Sequence, residues 1–190
     1  MDKYRDYHGI LKQRLTKNRY LHSVAVAKTA LRLAKKHGHD QERAYLAGLL
    51  HDYAREVAAD SLQSLACKWG LTGNRVTEAA PILWHGPVGA LLVEEELGIK
   101  EPTVLEAIRY HTTGAPGIGE IAKIIFLADL IEPGRRYSER QMIEKEAFSD
   151  LNEGVFVAYE LLIGYYIEKG DLIHPLTVEA RNELVINKRR

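Results

Sequence analysis

An all-α helical bundle is the fold that this chain predicts, and three observations carry the prediction. Apolar residues recur at helical spacing through most of the sequence. Period-two alternation rich in β-branched residues persists nowhere. Gly and Pro punctuate the apolar segments where helices of ordinary length would stop or start, as at Gly38, Gly70, Pro87, Pro102 and Pro133–Gly134. At 190 residues, with no internal repeat, low-complexity segment or linker, residues 1–190 read as one domain.

Ile10, Leu11 and Leu15 suggest a first helix. A second is expected from about Asn18 to His37, with Leu21, Val24, Ala25, Ala27, Leu31 and Ala34 as its inner face and Gly38 as its stop. Asp40 suits the N-cap of a third, which ends on His51–Asp52. A fourth starts at Asp60 or Ser61 and closes near Gly70, and a fifth begins after Gly73 and breaks around Pro81. Pro87 fits the first turn of a helix running to about Leu97, and Pro102 the start of Thr103–Tyr110. After the Gly/Pro-rich loop 114–119, residues Glu120–Ile131 form a very apolar helix that contains Asp129. Helices over Glu139–Phe148 and Leu151–Lys169 follow, and a last one starts at Thr177.

Composition narrows the function. Basic and acidic residues number 26 each, and no basic stripe is interleaved with aromatics, which speaks against nucleic-acid binding. Cys67 is the only cysteine, so an intrachain disulfide is impossible and a reducing compartment is the natural home. The first residues lack the apolar stretch of a signal peptide, and no apolar run approaches a membrane span. These features predict a cytoplasmic protein without a membrane partner.

The chemistry centres on Leu49–Leu50–His51–Asp52. Adjacent helical side chains point about 100° apart, so His51 and Asp52 reach one small object only at their shared edge, near a helix end. Imidazole and carboxylate both ligate first-row metals, and a buried aspartate needs a cation to offset its desolvation. His22, close to an inner helix face, and Asp129, inside an apolar helix, add donors of the same kind. So do His85 and His111, each beside a helix end and glycine. Each has an ordinary structural explanation alone; together they point to a transition-metal site. The mixed His/carboxylate set suits iron, manganese, cobalt or zinc better than magnesium, and the absence of a cysteine cluster argues against structural zinc. His37 and His39, flanking Gly38, are explained by the helix dipole, and His8 has no supporting context.

The ordered set His22, His51–Asp52, His85, His111, Asp129 resembles the HD superfamily of metal-dependent phosphohydrolases, in the version with two extra histidines before the last aspartate. Residues 84–90 (WHGPVGA), 107–114 (AIRYHTTG) and 127–135 (LADLIEPGR) are similar to the YqeK-type family, bacterial hydrolases that split diadenosine tetraphosphate symmetrically into two ADP. The resemblance runs from about Arg19 to His174–Pro175. It implies a compact HD-domain bundle with one or two divalent or trivalent metal ions, iron foremost and Mn or Co as substitutes. By position, it implies that His22, His51, Asp52 and Asp129 form a first metal site. His85 and His111 would complete a second or contact phosphate, with Asp52 bridging. Asp52, Asp129, His85 and His111 would carry catalysis. Arg19, just before His22, and Arg135, after the Asp129 helix, suit phosphate by their forked donors. Nucleotide contacts are implied for His85, His111, Thr112, Arg135 and the loop of Gly170, Ile173 and His174. Ala115 departs from the arginine expected there, and Gly86, where Ala is usual, is a mild change.

Two metals about 3.5–4 Å apart suit in-line hydrolysis of a phosphoanhydride by activated water. The expected reaction is symmetrical bis(5'-nucleosyl)-tetraphosphatase activity, with a dinucleoside polyphosphate as substrate and ADP as product. The alternatives are another HD-type nucleotide phosphohydrolase or phosphodiesterase, or a non-catalytic nucleotide-sensing domain. An apolar surface would suit a homodimer.

Overall fold

Eleven α-helices make up most of the computed structural model, which describes residues 4–189, and no strand occurs among these residues. They are α1 (Arg5–Arg14), α2 (Lys17–His37), α3 (Gln41–Leu50), α4 (Ala59–Lys68), α5 (Arg75–Ala79) and α6 (His85–Leu97). Then come α7 (Pro102–Tyr110), α8 (Glu120–Ile131), α9 (Arg140–Ser149), α10 (Leu151–Lys169) and α11 (Pro175–Lys188). A short 3-10 turn, Pro81–Trp84, leads into α6. The expected bounds of α8 and α10 coincide with the observed ones. Helix α6 begins at His85, with Pro87 in its first turn as expected, and α11 begins at Pro175, the first-turn position that proline favours, rather than at Thr177. No helix among the described residues is long and apolar enough to cross a membrane.

Helix α8 is central because its sequence allows nothing else. Ile121, Ala122, Ile124, Ile125, Phe126, Leu127, Ala128 and Ile131 are all buried, leaving no broad polar face for water. It packs against α2, α3, α7, α9 and α10, and one buried cluster links residues of nearly every helix. Local signals set the ends. Thr16 accepts from Arg19 N at the start of α2, and Asp40 accepts from Glu42 N and Arg43 N at the start of α3. Asn74 and Thr77 form a reciprocal capping box on α5, and Asp150 caps α10.

The inner face of α2 departs from expectation. Leu21 is 52% exposed, whereas Ser23, Val26, Ala27, Thr29, Ala30, Leu33 and Ala34 are buried. Small residues face inward because α3 approaches so closely. A Cβ on Gly48 would lie 2.9 Å from Ala27 Cα and 3.1 Å from its nitrogen. This contact sets α3, and hence His51–Asp52 at its end, against the helix that carries His22. The residues after Asp52 are tied back as well. Arg14 stacks on the Tyr53 ring and donates from Nε to Tyr53 O at 2.8 Å, while Glu56 accepts from Thr16 N and Oγ1.

Two histidines left aside by the sequence have structural partners. His37 Nε2 donates to Ala147 O of α9 at 2.7 Å, which adds a specific bond to the dipole explanation. His8 lies between the hydroxyls of Tyr20 and Tyr45, at 3.1 and 3.2 Å.

Replacing Gly48 by Ala should destabilise the fold. The gain of about 1 kcal/mol in helix propensity is outweighed by overpacking against backbone atoms, typically about 1–3 kcal/mol. Urea unfolding of the two proteins checks this; an unchanged or higher midpoint would show that α2 and α3 separate freely.

Candidate metal centre

Six donor residues expected from the sequence converge, although they come from helices far apart in the chain. His22 projects from α2, His51 and Asp52 from the end of α3, His85 from the start of α6, His111 from the end of α7, and Asp129 from the last turn of α8. Asp52 lies between them. Its Oδ2 is 3.4 Å from His51 Nε2 and 3.8 Å from His22 Nε2, and it accepts from Arg19 at 2.9 Å. Its Oδ1 is 3.5 Å from His85 Nε2 and 3.7 Å from His111 Nε2. One carboxylate thus offers a different oxygen to each histidine pair. Asp129 Oδ1 stands 3.0 Å from His22 Nε2 and 4.0 Å from His51 Nε2.

Local hydrogen bonds decide which imidazole nitrogen faces inward. His51 Nδ1 donates to Gly48 O at 2.8 Å, His85 Nδ1 to Ile82 O at 2.6 Å, and His111 Nδ1 to Ile108 O at 2.7 Å. Each acceptor is the carbonyl three residues earlier. Those of Gly48 and Ile108 lie in the last turns of α3 and α7, where carbonyls lack intrahelical partners, whereas that of Ile82, in the turn before α6, also accepts from His85 N. His22 Nδ1 donates to Glu132 Oε1 at 3.2 Å. With the Nδ1 protons committed, four Nε2 lone pairs turn toward Asp52 and Asp129, the orientation typical of metal-ligating histidines held by a second partner.

The donor set fits a cation. His22 Nε2 and His51 Nε2 are buried and have no hydrogen-bond partner among the described residues. His85 Nε2 and His111 Nε2 face each other at 3.0 Å, a contact between two lone pairs unless a positive charge sits beside them. Protons do not supply it readily at that pair. Burial, helped by His51 and His85, pushes His111 down to about 3, and burial likewise lowers His85, with Arg55 and His51 adding to it against the pull of Asp52. At His51 burial is outweighed by Asp52 and Asp129, and the affinity for a proton rises. Burial would raise Asp52 and Asp129, but positive charge on the facing groups, His51, His111 and His85 at Asp52 and His22, His51 and Arg135 at Asp129, holds both below the usual carboxylate range, a charge that protons or a bound cation can bring. Two groupings bring their ligand atoms within 4.8 Å of one another, close enough to hold one ion: His22, His51 and Asp129, and His51, Asp52 and His111.

The other sequence-derived residues divide. Arg19 and Arg135 join the cluster: Arg135 pairs with the Asp129 carboxylate and donates from Nε to Asp129 O at 2.8 Å. Thr112 Oγ1 lies 3.2 Å from His85 Nε2 and 3.0 Å from His111 Nε2. Among the described residues, Gly170, Ile173 and His174 make no hydrogen bond or ion pair to the cluster; Gly170 ends α10 and His174 caps α11. Gly86 proves more consequential than a mild change. A Cβ there would meet Arg109 O at 2.7 Å, so its absence lets the start of α6 sit on the end of α7 and brings His85 to His111. Two residues escaped the sequence reading. Glu132 is 4% exposed and orients His22, and the signal was a carboxylate one turn past Asp129 in the same apolar segment. Arg55, three residues after Asp52, acts on His85 as a nearby positive charge, which its position in the sequence does not reveal.

The HD domain family model matches residues 19–134, the segment that holds all six donors. The chain belongs to the HD-domain family. It is 37% identical to the symmetrical bis(5'-nucleosyl)-tetraphosphatase of Halalkalibacterium halodurans, over 95% of this chain and 96% of that one. It is 35% identical to the protein of the same description from Bacillus subtilis, over 92% and 94%. A crystal structure from Clostridium acetobutylicum, described as a predicted HD superfamily hydrolase involved in NAD metabolism, superposes with a TM-score of 0.94 at 35% identity, covering 97% of each chain.

Replacing Glu132 by Gln should leave the fold intact while lowering metal affinity by about 10–100-fold, the usual cost of losing the carboxylate behind a ligating histidine. Calorimetric titration with Mn(II) measures it; equal affinity in the two proteins would deny Glu132 that role.

Proposed function

We propose that this chain is a symmetrical bis(5'-nucleosyl)-tetraphosphatase that hydrolyses diadenosine tetraphosphate to two ADP at a two-metal centre whose native metal is iron. The observation that carries the reading is the two-sided Asp52 carboxylate, with one oxygen toward His22 and His51 and the other toward His85 and His111. His22, His51, Asp52 and Asp129 would hold one ion, and His85, His111 and Asp52 the other. The mixed imidazole and carboxylate donors favour iron, manganese or cobalt over the oxygen-rich sites of magnesium. Bound metal supplies Lewis acidity and lowers the pKa of water at neutral pH.

The residues of the chain supply the rest. Asp52 and Asp129 stay ionised in a buried setting and fix the ligand geometry. Arg19 and Arg135, already at the edge of the cluster, can turn guanidinium donors to phosphate oxygens. The Thr112 hydroxyl, beside both His85 and His111, can donate to a phosphate held there. Arg55 adds positive charge on the same side. The loop of Gly170, Ile173 and His174 contributes to nucleotide binding. Water adds to one central phosphorus, the bridging P–O bond breaks, and the second ADP leaves. The named activity of the two relatives, each matched over nine-tenths of its length, supports this choice among nucleotide hydrolases.

Chromatography of diadenosine tetraphosphate after incubation with iron- or manganese-loaded protein tests the reading. ADP should be the sole product, chelator should abolish it, and added metal should restore it. Asp52→Ala should fall to background. ATP with AMP would overturn symmetrical cleavage, and binding without turnover under every metal would favour a nucleotide sensor.

A further inference from the structure

A cavity of about 410 Å³ adjoins the centre on the His85–His111 side. It shares a wall with the metal donors: Thr112 lines it, and the Thr112 hydroxyl touches Nε2 of both histidines. Trp84 and Tyr110, the residues just before His85 and His111, also line it. Leu71, Pro87, Pro175 and Leu176 complete its apolar lining, and the volume exceeds that of a purine ring.

The polar groups at its edge are left in an unresolved arrangement. Asn74 Oδ1 is committed, since it accepts from Val76 N at 2.9 Å and Thr77 N at 3.2 Å as the cap of α5. The amide nitrogen must then point the other way, to His174 Nε2 at 3.0 Å. His174 Nδ1 accepts from Leu176 N as the cap of α11, so the neutral ring carries its proton on Nε2. Burial favours that neutral form. Two N–H donors therefore stand side by side, and flipping Asn74 would move the conflict to the helix cap. An acceptor reaching both from the cavity would satisfy them together. Glu179, on the same wall, offers an acceptor for a neighbouring amine.

We infer that this cavity takes a purine base, stacked on Trp84 and read by Asn74 and His174 through a ring or exocyclic acceptor. The inference rests on the tetraphosphatase reading in one respect: a substrate cut at its centre needs a base site on each side of the metals. On the other side lies Arg135, paired with Asp129, and Tyr166, four residues before Gly170, is within electrostatic reach of both Asp129 and Asp171. The 170–174 loop then crosses to the cavity at His174, so one segment would touch both halves of the substrate.

The two tryptophans make the test direct. In metal-loaded Trp69→Phe protein, Trp84 is the only indole, and ADP should quench its emission as the base stacks. Asn74→Asp keeps a good helix cap but gives His174 its acceptor and removes a donor from the cavity. It should weaken ADP quenching and raise KM for diadenosine tetraphosphate about tenfold with kcat little changed, as loss of a stacked, hydrogen-bonded base predicts. Thr72→Tyr, at an exposed position of the rim, should do the same by blocking the mouth. Symmetrical hydrolysis without quenching, and with KM unchanged in both variants, would overturn the base site. Quenching that both variants lose, in a protein that does not release ADP from the dinucleotide, would uphold the site and refute the tetraphosphatase reading.

Discussion

The structure depends on keeping one carboxylate ionised where water scarcely reaches it. Asp52 is 3% exposed, and an ion taken out of water costs several kcal/mol even after the protein relaxes. Its surroundings are arranged to offset that cost. Asp52, Asp129 and Glu132 bring three carboxylates into the cluster, against the guanidinium groups of Arg19 and Arg135. Arg55, near His85, brings a third positive charge, so formal charge balances, and what the protein atoms leave unanswered is the inward imidazole nitrogens, two of which, on His22 and His51, are buried without a hydrogen-bond partner among the described residues. Inward imidazole nitrogens beside ionised carboxylates suit a cation that accepts nitrogen and oxygen donors alike. The fit to a metal ion thus rests on the chemistry of the clustered side chains and agrees with the family relationship.

The same device orients three of the four histidines, and it draws on a leftover of helix construction. Carbonyls in the last turn of a helix have no amide to bond, and a buried one must find a donor elsewhere. His51 and His111 provide that donor through Nδ1, to Gly48 and Ile108, and His85 makes the same bond to Ile82 O, which its own backbone N–H also reaches. At His51 and His111 one bond therefore closes a helix end, fixes a tautomer and aims Nε2 inward. His22 sits in the middle of α2, where carbonyls are already paired, and so needs Glu132 instead. That difference in position explains why a third carboxylate is buried beside the centre.

This logic also explains what the sequence could and could not reveal. The fold class, the limits of α8 and α10 and the six residues that converge were legible because each has a local signature: an apolar period, or a polar residue interrupting one. The inner face of α2 was not, because hydrophobicity alone chose Leu21 over Ser23, whereas a close crossing at Ala27 and Gly48 favours small residues. The role of Gly86 was hidden for the same reason, since the carbonyl it makes room for belongs to Arg109 on another helix. Arg55 and the pairing of Asn74 with His174 depend on contacts between segments far apart in sequence or on the path of a turn, and a one-dimensional pattern contains neither.

Separation in sequence has a further consequence for how the centre comes into being. Its donors span residues 22 to 129 and stand at the ends or in the middle of five different helices. No local segment holds more than the His51–Asp52 pair, so an unfolded chain offers a metal only scattered, weak ligands. The folded chain offers them pre-aimed, at the meeting point of α2, α3, α6, α7 and α8, with their second hydrogen bonds already made. Any metal affinity of this cluster is therefore tied to the packing of those helices, as expected wherever a ligand binds the native state and not the unfolded one. The close contacts at Gly48 and Gly86, remote from any chemistry by residue type, belong to the site as much as the ligands do, because they set the distances across which Asp52 must reach.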